Sequence, residues 1–522
     1  MMELEADLVV INGNIITLDP QNPRVTAIAV KSYKILAMGD DDQLFHLVPN
    51  ATRVLDLGGK TVVPGFVDAH THLTGDGIRQ SHVKLHSAES LEDAIEILKA
   101  AVPEYEPGEW IQAYGWDESQ WPKKRYMNAR DLDKVSKKHP IFATRIDGHL
   151  VSVNTLGFQK LGIPHDLRGV EKSKKGEPTG VLKDIEGVYD KIRHDAETVR
   201  AGIVDGNNMA NALGITTAVD NAAAGTLKHV RDVEKEDRLT VRMVINPPVE
   251  QMNYMIRLGL TSGMGSPLVR IGGVKIFTDG SIGAATAAVS KPYKGQKDNT
   301  GMLLLEKSKY SQIIKKAIKN DIQTVTHAIG DAAIEMVITA FEELPKSLKS
   351  KLRDQRHRIE HAEMINEWQI RRAVGLGLIL SMQPNFVSVW QLEGGLYEDR
   401  FDDERVRGMN MFRAALDNGS RLCFGSDGMP YGPLYGIWAA TTHPNPRVRL
   451  TVEEALRCYT LESAYASFME HTVGSLSVGK RADFVVLSDN ILDMPPEKIK
   501  DIQVDMTVVG GIIEYSSLGT LR

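Results

Sequence analysis

The centre of the chain alternates short apolar runs with helix-forming stretches, and this alternation restricts the fold more than any other feature. Helical patterns such as EDAIEILKAAV and DAAIEMVITAFEEL separate several of the runs. Such alternation predicts parallel strands joined by right-handed crossovers. Eight units predict a (β/α)8 TIM-like barrel, with an open doubly wound sheet as the alternative. The eight predicted strands are GFVDAH (65–70), ITTAVD (215–220), LTVRMVIN (239–246), RIGGVKIF (270–277), IQTVTHA (322–328), HRIEHA (357–362), LGLILSMQ (376–383) and RLCFGSD (421–427).

The two ends of the chain are β-rich, whereas the middle is not. Residues 1–64 contain ADLVVIN and TAIAVKSYKILAMG, and residues 469–522 contain GKRADFVVLS and IQVDMTVVGGIIEY. Because terminal segments often lie close together, the ends are predicted to form one small β-domain. The barrel is then expected over 65–468. The stretch from about 80 to 195 is too long for one crossover, and it predicts an inserted subdomain over the C-terminal mouth.

Composition excludes several classes of protein. The 522 residues are 42% hydrophobic and carry a net charge of −6, so there is no electrostatic reason to expect nucleic acid or an anionic membrane as partner. The acidic start, MMELEADLVV, lacks the basic segment of a secretory signal. No apolar run reaches the roughly 20 residues of a membrane span. With only two cysteines, Cys423 and Cys458, a cytoplasmic protein is predicted, and a homo-oligomer stays open.

Side chains that bind metals or transfer protons recur where the predicted strands end. Side chains two apart in a strand point to the same side, so the first strand presents two imidazoles together. Barrel enzymes build their active sites at the C-terminal ends of the strands. The candidate residues, in chain order, are His70, His72, Lys275, His327, His361 and Asp427.

The spacing of these residues agrees with a barrel. One strand–helix unit takes about 30 residues. His327 and His361 are 34 positions apart, which is one unit, and His361 and Asp427 are 66 apart, which is two. Lys275 lies 52 positions before His327, which is one unit plus a polar loop. The candidates are therefore predicted to converge at one mouth.

Four imidazoles and a carboxylate suit a divalent metal, of which zinc is the common hydrolytic choice. Lys275 needs a separate explanation, because an ammonium group has no lone pair with which to bind a metal. A lysine carboxylated by carbon dioxide would offer an anionic oxygen ligand that bridges two ions. The alternative is that Lys275 pairs with a nearby carboxylate such as Asp279. One or two ions are therefore expected.

Several motifs together resemble the amidohydrolase superfamily, in the branch called amidohydrolase family 3. They are PGFVDAHTHL, GGVKIFTDGSIG, VTHAIGDAA, RIEHAE and FGSDGMP. YGWDESQWP and DGHLVSVN resemble its YtcJ-like members. The resemblance implies a metal-bearing barrel, a terminal β-sandwich and hydrolysis of carbon–nitrogen bonds. In one departure, AATTHPNPR stands where the resemblance leads us to expect an arginine soon after the threonines.

The resemblance also implies that Trp116, Asp117 and His149 of the insert face the substrate. The alternative is that Trp116 packs the core of the insert and Asp117 begins a helix. Gln383, at the end of the seventh strand, is a further candidate for a hydrogen bond to the substrate.

We therefore predict a metal-dependent amidohydrolase that acts on a small organic substrate. A metal-activated hydroxide would attack an amide-type carbonyl, with Asp427 as base and then as acid. One alternative keeps the fold but cleaves an ester, phosphoester or carbon–halogen bond, or isomerises its substrate. The other is a non-catalytic regulatory protein on the same barrel.

Overall fold

The N-terminal segment forms seven short strands, which enter two different sheets. The structure, a computed structural model, describes residues 5–185, 187–192 and 194–519. One sheet has four strands in the order β5-β4-β1-β6. A short helix, α1 (Asp41–Leu44), follows β5. The strands are β1 (Leu8–Ile11), β2 (Asn14–Ile16), β3 (Arg24–Val25), β4 (Ala27–Lys31), β5 (Lys34–Gly39), β6 (Arg53–Asp56) and β7 (Thr61–Pro64).

Strand β8 (Phe66–Thr71) and helix α2 (Leu73–Ile78) come next and lead into the predicted insert. Within it, six strands form one sheet in the order β13-β14-β12-β11-β10-β9. Trp116, Trp121 and Leu132 are among the side chains of its separate apolar core. The elements are β9 (Val83–Lys84), α3 (Leu91–Ala101), β10 (Ile111–Trp116), α4 (Ala129–Leu132), β11 (Ile141–Arg145), β12 (Leu150–Val153), α5 (Thr155–Leu161), β13 (Val170–Lys172) and β14 (Pro178–Lys183).

After the insert, strands and helices alternate as predicted. The strands are β15 (Ile215–Asn221), β16 (Arg242–Asn246), β17 (Val269–Ile271), β18 (Val274–Phe277), β19 (Thr324–Ala328), β20 (Arg358–His361), β21 (Ile379–Met382) and β22 (Leu422–Phe424). The helices are α6 (Ala196–Ala212), α7 (Thr226–Lys235), α8 (Met252–Arg257), α9 (Lys307–Lys319), α10 (Asp331–Glu342), α11 (Lys346–Lys349), α12 (Leu352–Gln355), α13 (Glu367–Leu376), α14 (Pro384–Trp390), α15 (Leu396–Arg400), α16 (Asp403–Arg407), α17 (Phe412–Asp417), α18 (Pro433–Thr442), α19 (Val452–Cys458) and α20 (Leu461–Ala466).

Each of the eight predicted strands contains a β-strand, but the fourth is divided. Gly272 and Gly273 separate β17 from β18, and the amide of Gly273 donates to the Asn246 side chain at 2.8 Å. The division leaves two parallel sheets, ordered β17-β16-β15-β8 and β18-β19-β20-β21-β22. Hydrogen bonds connect these sheets at both edges. The amide of Lys275 donates to the Pro247 carbonyl at 2.9 Å, and the amide of Asp427 donates to the His70 carbonyl at 2.8 Å.

The two chain ends pair in one mixed sheet, as predicted. Its order is β25-β24-β23-β7-β2-β3, where β23 (Phe484–Leu487), β24 (Val504–Val509) and β25 (Ile512–Ser516) are the C-terminal strands. Its buried side chains share an apolar core with those of the four-stranded N-terminal sheet, which is consistent with a β-sandwich. The predicted boundaries at 64, 80, 195 and 468 stay predictions. Over the described residues, no helix is long and apolar enough to cross a membrane.

Candidate metal centre and active site

The two histidines at the end of β8 each have one ring nitrogen fixed by an acceptor. His70 Nδ1 donates to the carboxylate of Glu360, and His72 Nδ1 donates to the carbonyl oxygen of Asn221 at 3.0 Å. This arrangement leaves Nε2 of both rings with its lone pair, the usual state of metal-binding histidines. Both Nε2 atoms face Asp427, at 3.6 Å from His70 and 3.3 Å from His72.

Asp427 lies just beyond β22 and completes this group. One ligand atom each from His70, His72 and Asp427 lie within 4.8 Å of one another. The backbone of Asp427 is left-handed, with φ of +55°, a strained conformation that the surrounding contacts hold in place. Burial alone would raise the pKa of Asp427, but His70 and His72 outweigh burial and lower it to about 2. The carboxylate is therefore ionised and available as a ligand.

His327 and His361, at the ends of β19 and β20, lie directly beside this group. Their ring centres are 4.5 Å apart, and the His361 ring is 4.7 Å from that of His70. Nδ1 of His361 is buried and has no hydrogen-bond partner. A buried nitrogen without a hydrogen-bond partner destabilises the folded state unless another group binds its lone pair. A metal ion fits that position, so the residues present suit the ion that the sequence predicts.

Lys275 points into the same space. Its Nζ donates to His70 Nε2 at 3.0 Å and lies 4.9 Å from the centre of the Phe277 ring. Burial lowers the pKa of Lys275 to about 8, so part of the population is a neutral amine near pH 7. Pairing with Asp279 is not observed, because this carboxylate accepts the backbone N–H groups of residues 288, 329 and 330.

Glu360 was not singled out from the sequence, yet it holds His70 in place. Besides the His70 ring, it accepts two hydrogen bonds from Arg358, at 2.7 and 2.9 Å. Arg358 also donates to the carbonyl oxygen of Ala69 at 2.7 Å. Glu360 and Arg358 are fully or almost fully buried. The signal was in the sequence, since two opposite charges inside the short apolar strand of RIEHAE require partners.

The positions of Trp116 and Asp117 match the alternative to substrate contact, in which Trp116 packs the core of the insert and Asp117 begins a helix. Trp116 is 0% exposed, stacks on Trp121 and donates its ring N–H to the Ala143 carbonyl at 3.1 Å. Asp117 caps a short 3-10 helix and forms an ion pair with Arg145 at 2.9 Å. The position of Trp116 therefore favours packing of the insert over contact with the substrate.

His149 and Gln383 differ in their relation to the site. The His149 ring lies 5.1 Å from that of His327, and its Nδ1 donates to Asp184. Burial disfavours the charged form of His149, but Asp184 outweighs burial and raises the pKa to about 9. Gln383 is 1% exposed, and its Oε1 has no partner. Only His149 of these two lines the cavity described next.

A cavity adjoins the candidate metal-binding residues. The insert supplies part of its wall, which agrees with the predicted place of the insert over the site. Two residues that sequence reasoning missed, Glu363 and Tyr397, face each other in it, and the Tyr397 hydroxyl donates to the carboxylate. Burial raises the pKa of Glu363 to about 8. The lining residues are Arg145, Asp147, His149, Ser281, Ile282, Gly283, Ile329, His361, Glu363, Phe386, Trp390, Leu396, Tyr397, Asp427 and Met429.

The arginine that the resemblance leads us to expect after the threonines is not part of this cavity. His443 follows the threonines, and Arg449 donates to its carbonyl oxygen at 2.7 Å. Arg447 is exposed, and neither arginine is a lining residue.

Comparisons with known proteins agree with this geometry. The model of the amidohydrolase family matches residues 53–515. The chain is 27% identical to the putative amidohydrolase YtcJ of Bacillus subtilis, over 96% of this chain and 98% of that protein. It is 26% identical to the N-substituted formamide deformylase of Arthrobacter pascens, over 98% of this chain and 99% of that protein.

A solved structure is similar over almost its whole length. The crystal structure of an uncharacterized metal-dependent hydrolase from Pyrococcus horikoshii has a TM-score of 0.77 and 26% identity, and the match covers 94% of this chain and 99% of that one. The family match, the full-length relatives and the group of His70, His72 and Asp427 point the same way. The chain therefore belongs to amidohydrolase family 3 and is related over its full length to metal-dependent hydrolases.

Proposed function

We propose that this protein hydrolyses a carbon–nitrogen bond of the amide type in a small organic substrate. The observation that carries the proposal is the group of His70, His72 and Asp427, whose ligand atoms lie within 4.8 Å of one another beside His361. We also propose that the two parallel sheets form one closed (β/α)8 barrel. The hydrogen bonds at both edges, at Lys275 and at Asp427, support closure over an open doubly wound sheet.

The candidate metal ligands are His70, His72, His327, His361, Asp427 and a carboxylated Lys275. These residues would hold a divalent ion, which we propose to be zinc, and such an ion would supply a water of lowered pKa near neutral pH. The imidazole-rich set favours zinc over magnesium or calcium, which prefer oxygen ligands. The buried amine of Lys275, with its pKa near 8, supports carboxylation, since the neutral amine is the form that reacts with carbon dioxide.

The protein's own groups have distinct roles in this proposal. Asp427 accepts the proton of the attacking water and then donates it to the leaving nitrogen. Its position beside both His70 and His72 supports this role. Glu360 keeps the His70 ring oriented through Nδ1. His149, fixed by Asp184, is placed in the cavity wall to orient the substrate, and the buried walls exclude bulk water.

Two alternatives stay open to experiment. The same fold could cleave an ester, phosphoester or carbon–halogen bond, or isomerise its substrate. The other is a non-catalytic regulatory protein. The unpartnered Nδ1 of His361, beside the candidate metal ligands, argues against it, because a regulatory protein does not need a set of metal ligands. The name of the full-length relative, an N-substituted formamide deformylase, supports the carbon–nitrogen bond and directs the choice of substrates.

The test combines metal analysis with turnover. Purified protein is assayed before and after dialysis against chelator, with N-formyl amines, N-acetyl amines and matched esters. We expect bound zinc, loss of activity on chelation, and amine release. Asp427→Asn is expected to lower kcat by about 100- to 10,000-fold, whereas Asp298→Asn, at an exposed carboxyl, is the matched control. A protein that binds no metal, or that hydrolyses only the esters, would refute the proposal.

We propose further that the protein acts in the cytoplasm on a small molecule, without a nucleic-acid or membrane partner. Cys423 and Cys458 are both unpaired and buried, which supports a reducing compartment. Whether the chain forms a homo-oligomer stays a question for solution measurements.

A further inference from the structure

We propose that the cavity selects neutral amides with a flat apolar substituent and rejects substrates with a carboxylate beside the scissile bond, such as N-acyl amino acids. Trp390 is the residue that sets this preference. The inference rests on the proposed function, because it assigns the class of amide that the same site accepts.

An aromatic strip leads from the metal-binding residues into the cavity. The Phe386 ring is stacked on that of His361, with ring centres 6.0 Å apart and planes within 10°. Trp390 follows at 4.9 Å from Phe386, and Tyr397 at 6.3 Å from Trp390. Aromatic faces in series bind a flat apolar group through a large contact area.

Further apolar side chains line the same cavity. Ile282, Ile329, Leu396 and Met429 line the cavity and are at least nine-tenths buried. Ile282, Ile329 and Met429 follow the strands β18, β19 and β22, and Leu396 begins α15, so the cavity is enclosed on several sides.

Both cationic side chains among the described lining residues are already paired. Arg145 is 0% exposed and contacts three carboxylates, Asp117 at 2.9 Å, Glu118 at 2.7 Å and Asp147 at 2.9 Å. The other cation is His149, which is paired with Asp184. Three carboxylates surround the single charge of Arg145, and Asp184 balances that of His149, so neither group offers an unneutralised positive charge.

A carboxylate on the substrate would therefore enter an unfavourable environment. It would come close to the side chain of Asp147, which lines the same cavity. Removing an anion from water without a partner is costly, and like charges at short range repel. A neutral amide avoids both costs.

Trp390 links this selectivity to the insert. Its ring N–H points at the Asp117 carboxylate at 3.4 Å, and Asp117 also pairs with Arg145. The contact fixes the orientation of the indole between Phe386 and Tyr397. Trp390 thus acts by shaping the cavity, at a distance from the atoms that react.

The test uses two substrates that differ only in a carboxylate. N-phenethylformamide and N-formylphenylalanine share the same skeleton, and N-methylformamide lacks the ring. For the zinc-loaded enzyme we expect kcat/KM for N-phenethylformamide to exceed that for N-methylformamide by roughly 10- to 100-fold. We expect it to exceed that for N-formylphenylalanine by about 100-fold or more. Equal values for the acid and its decarboxylated partner would overturn the proposal.

Variants then assign the preference to Trp390. Trp390→Ala should lower kcat/KM for N-phenethylformamide by about tenfold, mainly through KM, and change that for N-methylformamide much less. Trp390→Phe should retain most of the preference, and it provides a second test if the alanine variant does not fold. Trp368→Ala is the control, since Trp368 is 66% exposed on α13. An unchanged preference in Trp390→Ala would refute the assignment.

A binding measurement separates this inference from the proposed function. 2-Phenylethanol is neutral and cannot be hydrolysed, so calorimetry reports occupation of the cavity without turnover. We expect it to bind the zinc-loaded enzyme and Trp368→Ala equally, and Trp390→Ala about tenfold more weakly. If no formamide is hydrolysed but the affinity for 2-phenylethanol still depends on Trp390, the proposed function is wrong and the inference about the apolar cavity is supported. If binding does not depend on Trp390, the inference is wrong.

Discussion

Helix α2, which begins directly after His72, packs closely against α6. Gly206 on α6 permits this close packing because it has no side chain. A Cβ atom on Gly206 would lie 2.6 Å from the carbonyl oxygen of Leu73, the residue directly after His72. Real Cβ atoms essentially never come closer than 3.0 Å to such a neighbour, and ordinary contact begins at 3.4 Å, so the backbones would have to separate by about 0.4–0.8 Å. Gly77 and Gly202 approach the opposite helix in the same way.

Gly206→Ala should therefore destabilise the protein although alanine is the better helix former. Overpacking against backbone costs about 1–3 kcal/mol, and the gain in helix propensity offsets up to about 1 kcal/mol. We expect a net loss of about 1–2 kcal/mol in the free energy of unfolding. Because Leu73 must shift, zinc affinity should fall as well, through displacement of His72.

Gly375→Ala is the matched control. Gly375 is within α13, and a Cβ there would meet nothing within 4 Å. This substitution should stabilise the protein by about 0.5–1 kcal/mol. The measurements are thermal denaturation and zinc content after equilibrium dialysis, on both variants in parallel. If Gly206→Ala is as stable as Gly375→Ala and retains its zinc, helix packing does not position His72.

Three further predictions concern the site itself. Lys275→Ala should lose one or both ions if a carboxylated lysine bridges them, and an unchanged metal stoichiometry of the purified variant would reject the bridge. Glu360→Gln should weaken zinc affinity by about 10- to 100-fold, because His70 loses the charged partner of its Nδ1; equal affinity by competition with a chelator would contradict this role. In metal-stripped protein, the stabilisation from the His149–Asp184 pair should be complete below about pH 6.5 and vanish as pH rises through about 9, because the pair raises the pKa of His149 above its usual 6.5. The melting-temperature difference between the parent and Asp184→Asn across this range measures it, and a difference that does not change with pH would contradict it.

The sequence alone predicted that the candidate metal-binding residues lie together, because their placement follows chain periodicity. Strands with alternating faces place His70 and His72 together, and the repeat of strand and helix brings His361 and Asp427 to the same end. These relations depend on local geometry and on spacing, both of which can be read from one chain. The pairing of the two β-rich ends followed from the same kind of pattern.

Tertiary structure alone decided which side chains line the cavity. Trp116 and His149 both belong to the insert, yet one packs its core and the other lines the cavity. Trp116 ends strand β10, whereas His149 lies in the loop between β11 and β12, where side chains have no fixed alternation of faces, so no single periodic pattern covers both. Glu360 and Glu363 also acquire their roles from partners distant in the chain, His70 and Tyr397. Sequence patterns determined where metal-binding groups converge, whereas the shape and charge of the cavity depend on contacts between remote segments, which only the folded chain brings together.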